Sequence, residues 1–464
     1  MSRTEPTKTD STPEKRPPVN FSDARGPSAS ETEVGSVFVS NYPPFSAWQA
    51  DALPEYEDVI EQAPERASEL GLYLHIPFCR KRCKFCYFRV YIDRNADQIQ
   101  HYLDSLAREV EIYSRKPAVA DRPLKFVYFG GGTPSYVAVK HMKQLWNRVR
   151  AAIPWDDVEE VTFECEPGTL TESKVHTYRE MGVTRLSLGI ENFDDAILRE
   201  NGRAHETKEI HRCLPWIREA SFDQLNVDLI AGMVGETWET WKDTLEKTID
   251  VDPDSVTIYQ MELPFNTVYS QGILKDGEPV KVADWETKRA WNEYAIDRLC
   301  EVGYEVSSAY TLVKSSGKAA GEGRFVYRDA LWHGADMLGT GIASFGHMQG
   351  VHIQNVASWN DYLDSLAEGR LPWGRAYKTS AEDLLTRELI LQMKLGNLDL
   401  QPFREKYGVD PLDRFFGAFE TLEGEGMLRI RDRRHVELSR PGLLRVDSLL
   451  SNFYAERYQN ARYT

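Results

Sequence analysis

The chain has 464 residues, which at about 150 residues per domain leaves room for about three domains, or for one large barrel with additions. Asp and Glu outnumber Lys and Arg by 72 to 56, a formal net charge of -16, and that field repels phosphate backbones and anionic lipid heads alike, so no nucleic-acid partner is expected. With a mean hydropathy of -0.49, no run approaches the roughly 18 apolar residues of a spanning helix, so no stable membrane insertion is expected either. The polar N-terminus lacks the apolar stretch of a signal peptide, and the expected compartment is the cytoplasm.

Residues 1–36 mix Ser, Thr, Pro, Glu and Lys with almost no large apolar side chains, a composition that cannot bury enough surface to offset ordering entropy and reads as a disordered tail. Residues 37–70, with Asn41-Tyr-Pro-Pro-Phe45 and Trp48, read as an extended segment docking on a folded body. From residue 71, β-rich runs alternate with helical stripes. The strand candidates are Leu72 to Pro77, Phe126 to Phe129, Glu160 to Cys165, Arg185 to Ile190, Leu225 to Ile230 and Ser255 to Tyr259. Between them Leu103, Leu106, Val110 and Tyr113, then Met142, Leu145 and Val149, then Trp238, Trp241, Leu245 and Ile249 recur at helical spacing. This alternation implies an α/β fold of parallel strands with helical crossovers over residues 71–290. Six units fall short of a closed eight-fold barrel, which leaves an open partial barrel or a doubly wound sheet, and both place chemistry at the carboxyl ends of the strands. Residues 291–377 read as an extension and connector, with a Gly-rich stretch from Gly317 to Gly350. Residues 378–464 read as a small helical and winged module, with a helix from Ala381 to Lys394 and a hairpin turning at Arg431 to Arg434.

Of the six cysteines, three fall within eight positions: Cys79-Arg-Lys-Arg-Cys83-Lys-Phe-Cys86, directly after the first strand candidate. Three thiolates from one loop can hold three irons of a [4Fe-4S] cluster and leave the fourth without a protein ligand, open to chemistry. Arg80, Lys81, Arg82 and Lys84 are expected to favour the thiolate form. A zinc site is the alternative, although zinc wants four tetrahedral ligands and only His75, inside the strand, offers itself nearby. Cys165, Cys213 and Cys300 are spaced too widely to read as ligands and are expected to be buried thiols. His205, His333 and His347 are expected to be packed or solvated rather than catalytic.

The three cysteines, the preceding Tyr73-Leu-His-Ile-Pro-Phe78 and the following Gly130-Gly-Gly-Thr-Pro-Ser135 resemble the radical S-adenosylmethionine (SAM) superfamily, in its oxygen-independent coproporphyrinogen III oxidase-like and haem chaperone-like branch. Arg185 to Phe193, Gly202 to His205, Asn226 to Thr237, Asp336 to Ser344 and Val446 to Leu450 resemble later blocks of the same family. The resemblance implies a partial (β/α)6 TIM-like barrel with a small C-terminal helical or winged domain. It implies a [4Fe-4S] cluster on Cys79, Cys83 and Cys86, one SAM molecule with a second position beside it, and an electron donor such as a flavodoxin or ferredoxin. Tyr73, also the candidate catalytic residue, Phe85, Gly131 and Glu164 are implied to lie at the first SAM; Gly132, Thr133, Glu191, Arg203 and Asp228 at the second. The implied activity is reductive cleavage of SAM to methionine and a 5'-deoxyadenosyl radical, acting on a tetrapyrrole, with haem carriage and two-SAM methylation or cyclopropanation as alternatives. Two departures stand out. The family's oxidases have a fourth cysteine two positions after the third, where this chain has Phe88 like the haem chaperones, and Glu191 stands where the family usually has Gln.

Overall fold

The computed structural model describes residues 32–64, 68–277, 280–315, 325–459 and 461. Residues 1–31 of the tail expected over 1–36, and the start of the Gly-rich stretch, lie outside them. Strands β1 (Leu70–Ile76), β2 (Leu124–Gly131), β3 (Glu160–Cys165), β4 (Arg185–Glu191), β5 (Gln224–Ala231) and β6 (Ser255–Gln260) are the six candidates, each within a few residues of its expected bounds. They pair in parallel in chain order. After them come β7 (Tyr304–Val306), β8 (Thr311–Lys314), β9 (Asp336–Thr340), β10 (Phe345–Met348), β11 (Val351–Asn355) and β12 (Trp373–Lys378).

Among the described residues these twelve form one sheet, ordered β12-β11-β10-β9-β1-β2-β3-β4-β5-β6-β8-β7, with no pairing that closes it. The parallel run has seven strands rather than six, because β9 adds to the free edge of β1, while β10 to β12 and β7 with β8 extend the two ends antiparallel. β9 escapes a period-two reading because it is five residues long and contains Gly339, where a Cβ would meet the Phe345 carbonyl oxygen at 1.7 Å. The sheet is curved. Burial and then Asp228 raise the Tyr259 phenol on β6, and Glu164 on β3, three strands away, is close enough to add to the rise.

The crossover helices form where the apolar stripes sit. Ala96–Tyr113 starts on an Asn95 and Gln98 capping box, which satisfies two of the orphan backbone donors of its first turn, and it buries Tyr102, Leu103, Leu106, Val110 and Tyr113. Trp238–Val251 starts on Thr237 and buries Trp241 and Leu245, while Trp238 itself remains exposed. Near the C-terminus, Leu428–Arg431 (β14) and His435–Leu438 (β15) form the expected hairpin, and Asn397–Asp399 (β13) pairs with β15 as a third strand.

The segment before β1 is not simply extended: it contains a helix over Leu53–Ile60 and two short 3-10 turns. It is also engaged earlier than its composition suggests, since Gly35 donates its amide to the Leu263 carbonyl at 2.8 Å and Ser36 donates to Glu262. Further along, Tyr42 packs among C-terminal residues such as Tyr454 and Tyr458, and Trp48 lies parallel to the His352 ring at 4.9 Å. The segment therefore joins the β6 end, the C-terminal region and the β11–β12 edge. Among the described residues no helix is long and apolar enough to cross a membrane.

Candidate functional site

The loop after β1 carries the three thiols. Its ends are fixed by backbone bonds: the Cys79 amide donates to Tyr91 O at 3.1 Å, and the Lys84 amide donates to Asn201 O at 3.0 Å. β2 then turns back under it. The Gly132 amide donates to Ile76 O and the Thr133 amide to Phe78 O, while a Cβ on Gly132 would meet Ile76 O at 2.6 Å and Phe78 N at 2.8 Å. Only glycine lets the two backbones approach this closely. Gly131 has φ +105°, and a side chain there would strike the His75 ring at 2.2 Å.

Two donors aim at sulfur. Thr133 Oγ1 lies 3.3 Å from Cys79 Sγ and Arg203 Nη1 lies 3.4 Å from Cys83 Sγ. The three sulfurs do not all lie within 4.8 Å of one another; among the described residues only Glu172, His176 and Glu219, a partly exposed surface group, meet that spacing. Thiolates on one zinc ion, each about 2.3 Å from it, would sit about 3.8 Å apart. Three free thiols spread wider than that, with donors to sulfur beside them, fit a polynuclear cluster that takes each thiolate on a separate iron.

The expected thiolate bias is not what the loop does by itself. Burial pushes Cys79 up to about 12 and Cys86 to about 11, aided by the neighbouring thiols. The basic side chains are partly spent elsewhere: Arg80 pairs with Glu166 at 2.9 Å and Lys84 with Glu200 at 3.0 Å. Desolvation outweighs what remains of their charge.

Below the loop, carboxylates converge from three strands. Glu164 on β3 accepts from the Tyr128 hydroxyl at 2.7 Å and the Gly131 amide at 3.1 Å. Asp228 on β5 accepts from Ser187 and Asn226. Glu191 ends β4 with φ +66° and lies 3.5 Å from Arg203 Nη2, which also donates to Gly189 O. Burial raises Glu164 and Glu191 to about 7, with repulsion from Asp228 adding to both; burial raises Asp228 as well. Arg203 faces Glu191 and Asp228, and Arg185 faces Asp228 as well.

Tyr73 also points inward, its hydroxyl 3.2 Å from His75 Nδ1 and its ring 5.7 Å from Tyr128 in a stacked pair. Phe85, on the thiol loop, packs against the apolar cluster that contains Ile197, Met233 and Met261. Phe88 is 46% exposed and stacks on Tyr87 at 4.4 Å.

The structure adds residues that spacing does not reveal. Glu166, just past β3, receives both Arg80 Nε and Nη2 and lies 3.2 Å from His205 Nδ1, with its carboxyl lowered to about 2 despite burial. It ties the thiol loop to the β3 end and to the segment that carries Arg203. Tyr128, Tyr259, Tyr310, Tyr327 and Phe325 line the concave face of the sheet. Alternating positions on β2 and β6 could have suggested Tyr128 and Tyr259, but Phe325 and Tyr327 enter from outside the strand pattern.

His205 and His347 are packed as expected, His347 against His352, and His333 is on the surface. Cys165 and Cys213 are buried, but Cys300 is exposed near the C-terminal end of its helix. An amphipathic stripe does not fix a residue at the helix end, where the apolar face runs out.

Residues 73–248 match the radical SAM superfamily. The chain carries a radical SAM domain. Radical SAM proteins use a [4Fe-4S] cluster and SAM, and the matched span runs from β1 through β5 with the thiol loop and the three carboxylates. The chain is 27% identical over 406 residues to the oxygen-independent coproporphyrinogen III oxidase of Synechocystis, covering 84% of this chain and 86% of that one. It is 25% identical over 389 residues to the heme chaperone HemW of Bacillus subtilis, covering 83% of this chain and 99% of that protein. The solved structure of coproporphyrinogen III oxidase (HemN) from Escherichia coli shares the fold, with a TM-score of 0.77 at 23% identity over 90% of this chain and 96% of that one.

Proposed function

We propose that this radical SAM enzyme holds its cluster on Cys79, Cys83 and Cys86, binds SAM against Tyr73, Phe85, Gly131 and Glu164, and acts on a tetrapyrrole. The observation that carries the reading is the convergence of Glu164, Glu191, Asp228 and Arg203 beneath the thiol loop. When bound, cluster and SAM together supply one-electron cleavage of SAM to methionine and a carbon radical that abstracts hydrogen from substrate.

The chain's own residues do the rest. Glu164 and the Gly130 to Gly132 backbone offer acceptors and donors for ribose hydroxyls and an ammonium. Burial keeps Glu164, Glu191 and Asp228 raised despite Arg203 and Arg185, and a ligand bearing a sulfonium and an ammonium would favour their ionised forms. A second SAM beside Gly132, Thr133, Glu191, Arg203 and Asp228 would supply such charge, with Arg203 gripping its carboxylate. The inward tyrosines and Phe325 give a flat apolar ligand aromatic walls and keep water from the reacting centre. The Synechocystis and Escherichia coli relatives are named for a tetrapyrrole reaction, which supports the substrate class.

Phe88 favours a second reading, haem carriage, because this exposed ring stands where the oxidases have cysteine and the haem chaperones have Phe. Anaerobic reconstitution with SAM, reductant and coproporphyrinogen III, in parallel with haem binding and transfer to an apo-acceptor, separates the two. SAM cleavage stimulated by a tetrapyrrole supports the first; haem binding and transfer without SAM consumption supports the second. SAM turnover indifferent to every tetrapyrrole would overturn both.

A further inference from the structure

A polar stripe crosses β4, β5 and β6 and ends on Asp228. Arg185 with Ser187, Asn226 with Asp228, and Ser255 with Thr257 stand at alternate positions of their strands, so each pair projects to one side of the sheet. The register sets Ser187 beside Asn226 and Asn226 beside Ser255. All of these except Asp228 are buried, Asn226 to 1% exposure.

The hydrogen bonds of the stripe run in one direction. A guanidinium only donates, and Arg185 Nη2 donates to Ser255 Oγ at 3.1 Å. Ser255 keeps its own proton for Asn226 Oδ1, 2.8 Å away, and Thr257 donates to the same oxygen at 3.0 Å. With both lone pairs of Oδ1 taken, the amide is fixed with its nitrogen toward Ser187 Oγ at 2.9 Å and Asp228 Oδ1 at 3.0 Å. Ser187, accepting there, donates in turn to Asp228 Oδ2 at 2.8 Å. The opposite amide orientation would set Oδ1 against the carboxylate, with no proton between them.

Every member of the stripe thus donates toward Asp228. Donors on both oxygens suit a carboxylate and disfavour the protonated acid. Arg185 adds its charge from the far end of the stripe; the other titratable groups that face Asp228 are Arg203, Glu164, Glu191 and Tyr259.

We infer that Asn226, clamped by Ser255 and Thr257, is a positioning residue that holds Asp228 as an oriented carboxylate, its remaining lone pairs left for the hydroxyls or cationic group of a ligand. The identity of that ligand as SAM rests on the function proposed above, whereas the positioning does not.

The test follows the protonated carboxyl stretch of Asp228 in the reconstituted protein by infrared difference spectroscopy from about pH 5 to about pH 9, a range that covers a buried carboxyl raised from its usual value. The Asp228→Asn variant assigns the band. Asn226→Leu, similar in size and unable to donate, is expected to keep Asp228 protonated to a pH higher by about one or more. Its affinity for SAM, measured by calorimetry, should fall by about ten-fold or more. That loss should vanish when the same change is made in Asp228→Asn, where a residue acting through Asp228 has nothing left to position. Should Asn226→Leu fail to fold, Ser255→Ala with Thr257→Val frees the amide to turn over and is expected to move band and affinity in the same directions. A band that titrates as in the wild type overturns the inference, and so does an affinity loss of equal size with and without the Asp228 carboxylate. Asp228→Asn binding SAM as tightly as the wild type would instead remove SAM as the ligand of Asp228, and the infrared band would still decide the positioning.

Discussion

Arg203 stands 3.5 Å from Glu191 while its other terminal nitrogen reaches the Cys83 sulfur at 3.4 Å. One guanidinium thus joins the thiol loop to the carboxylate end of β4. Both partners are largely buried, and removing one member of such a pair leaves the other as an unpaired buried charge, at a cost of about 3–5 kcal/mol. Arg203→Leu is therefore expected to lower the thermal midpoint and abolish SAM cleavage, while Arg203→Lys, a point charge without the fork, restores stability better than activity. Full SAM turnover in Arg203→Leu would show that the link is not used.

Cys79→Ala, Cys83→Ala and Cys86→Ala should each lose the cluster and SAM cleavage, since each would remove the protein ligand of one iron. Cys165→Ala, Cys213→Ala and Cys300→Ala should retain about four irons and four sulfides per chain after anaerobic reconstitution. Stoichiometric zinc in place of iron in the wild type, or loss of iron in Cys165→Ala, would contradict the assignment.

The carboxylates predict a pH dependence. Glu164 and Glu191 are held near 7 by burial without ligand, and a cationic ligand prefers them ionised. Affinity for SAM should be full above pH 7 and fall as pH drops below it, by up to about ten-fold per unit for each carboxylate that must lose its proton. In Glu164→Gln the curve should flatten and the affinity at pH 8 should drop. Affinity that rises on acidification would reverse the sign of this argument.

The six parallel strands are legible in the sequence because strands buried on both faces read as short continuous apolar runs bounded by turn residues. The thiol loop is legible because its ligands are neighbours in the chain. What escapes is assembled from far apart: Arg80 and Glu166 are 86 positions apart, and Tyr327 reaches Tyr128 from the far side of β6 in the chain. The thiol pKa values went against the basic residues around them for a related reason, since charge is visible in sequence and burial is not. The same holds for the early segment, whose aromatic residues suggest docking but not the partners they find.

Those partners make the early segment structural. Trp48 is 1% exposed, donates from its ring nitrogen to Pro43 O at 3.2 Å and stacks on the buried His352. Trp48→Ala should cost about 3–5 kcal/mol, as large-to-small changes of buried aromatics do, seen as a lower thermal midpoint with the cluster content per folded chain unchanged. Removing residues 378–464 should do more damage. It deletes Lys394 and Asp447, which pair at 2.8 Å, and with them the contacts to Val39 and Tyr310. A truncated protein as stable as the full chain would show that this region folds independently of the sheet.

The last prediction concerns coproporphyrinogen III itself. Two changes bear on it, Phe88 and Glu191, and they differ in exposure. Phe88 sits outside, stacked on Tyr87 and open to solvent; where the oxidases carry an oxidisable thiol, this chain offers an aromatic face. Glu191 sits inside, against Arg203, with a carboxyl near 7 and Asp228 as a second acid. An amide in its place would carry no charge, would leave Arg203 free for a ligand carboxylate, and would relieve the repulsion on Asp228. Glutamine tolerates the positive φ of this position no worse than glutamate does. SAM cleavage without appreciable conversion of coproporphyrinogen III to protoporphyrinogen IX is therefore the expected outcome for the reconstituted protein. If Glu191→Gln gains conversion, the inner site is the cause; if only Phe88→Cys gains it, the loop is. Robust protoporphyrinogen IX formation by the unaltered chain would show that neither departure matters to the reaction.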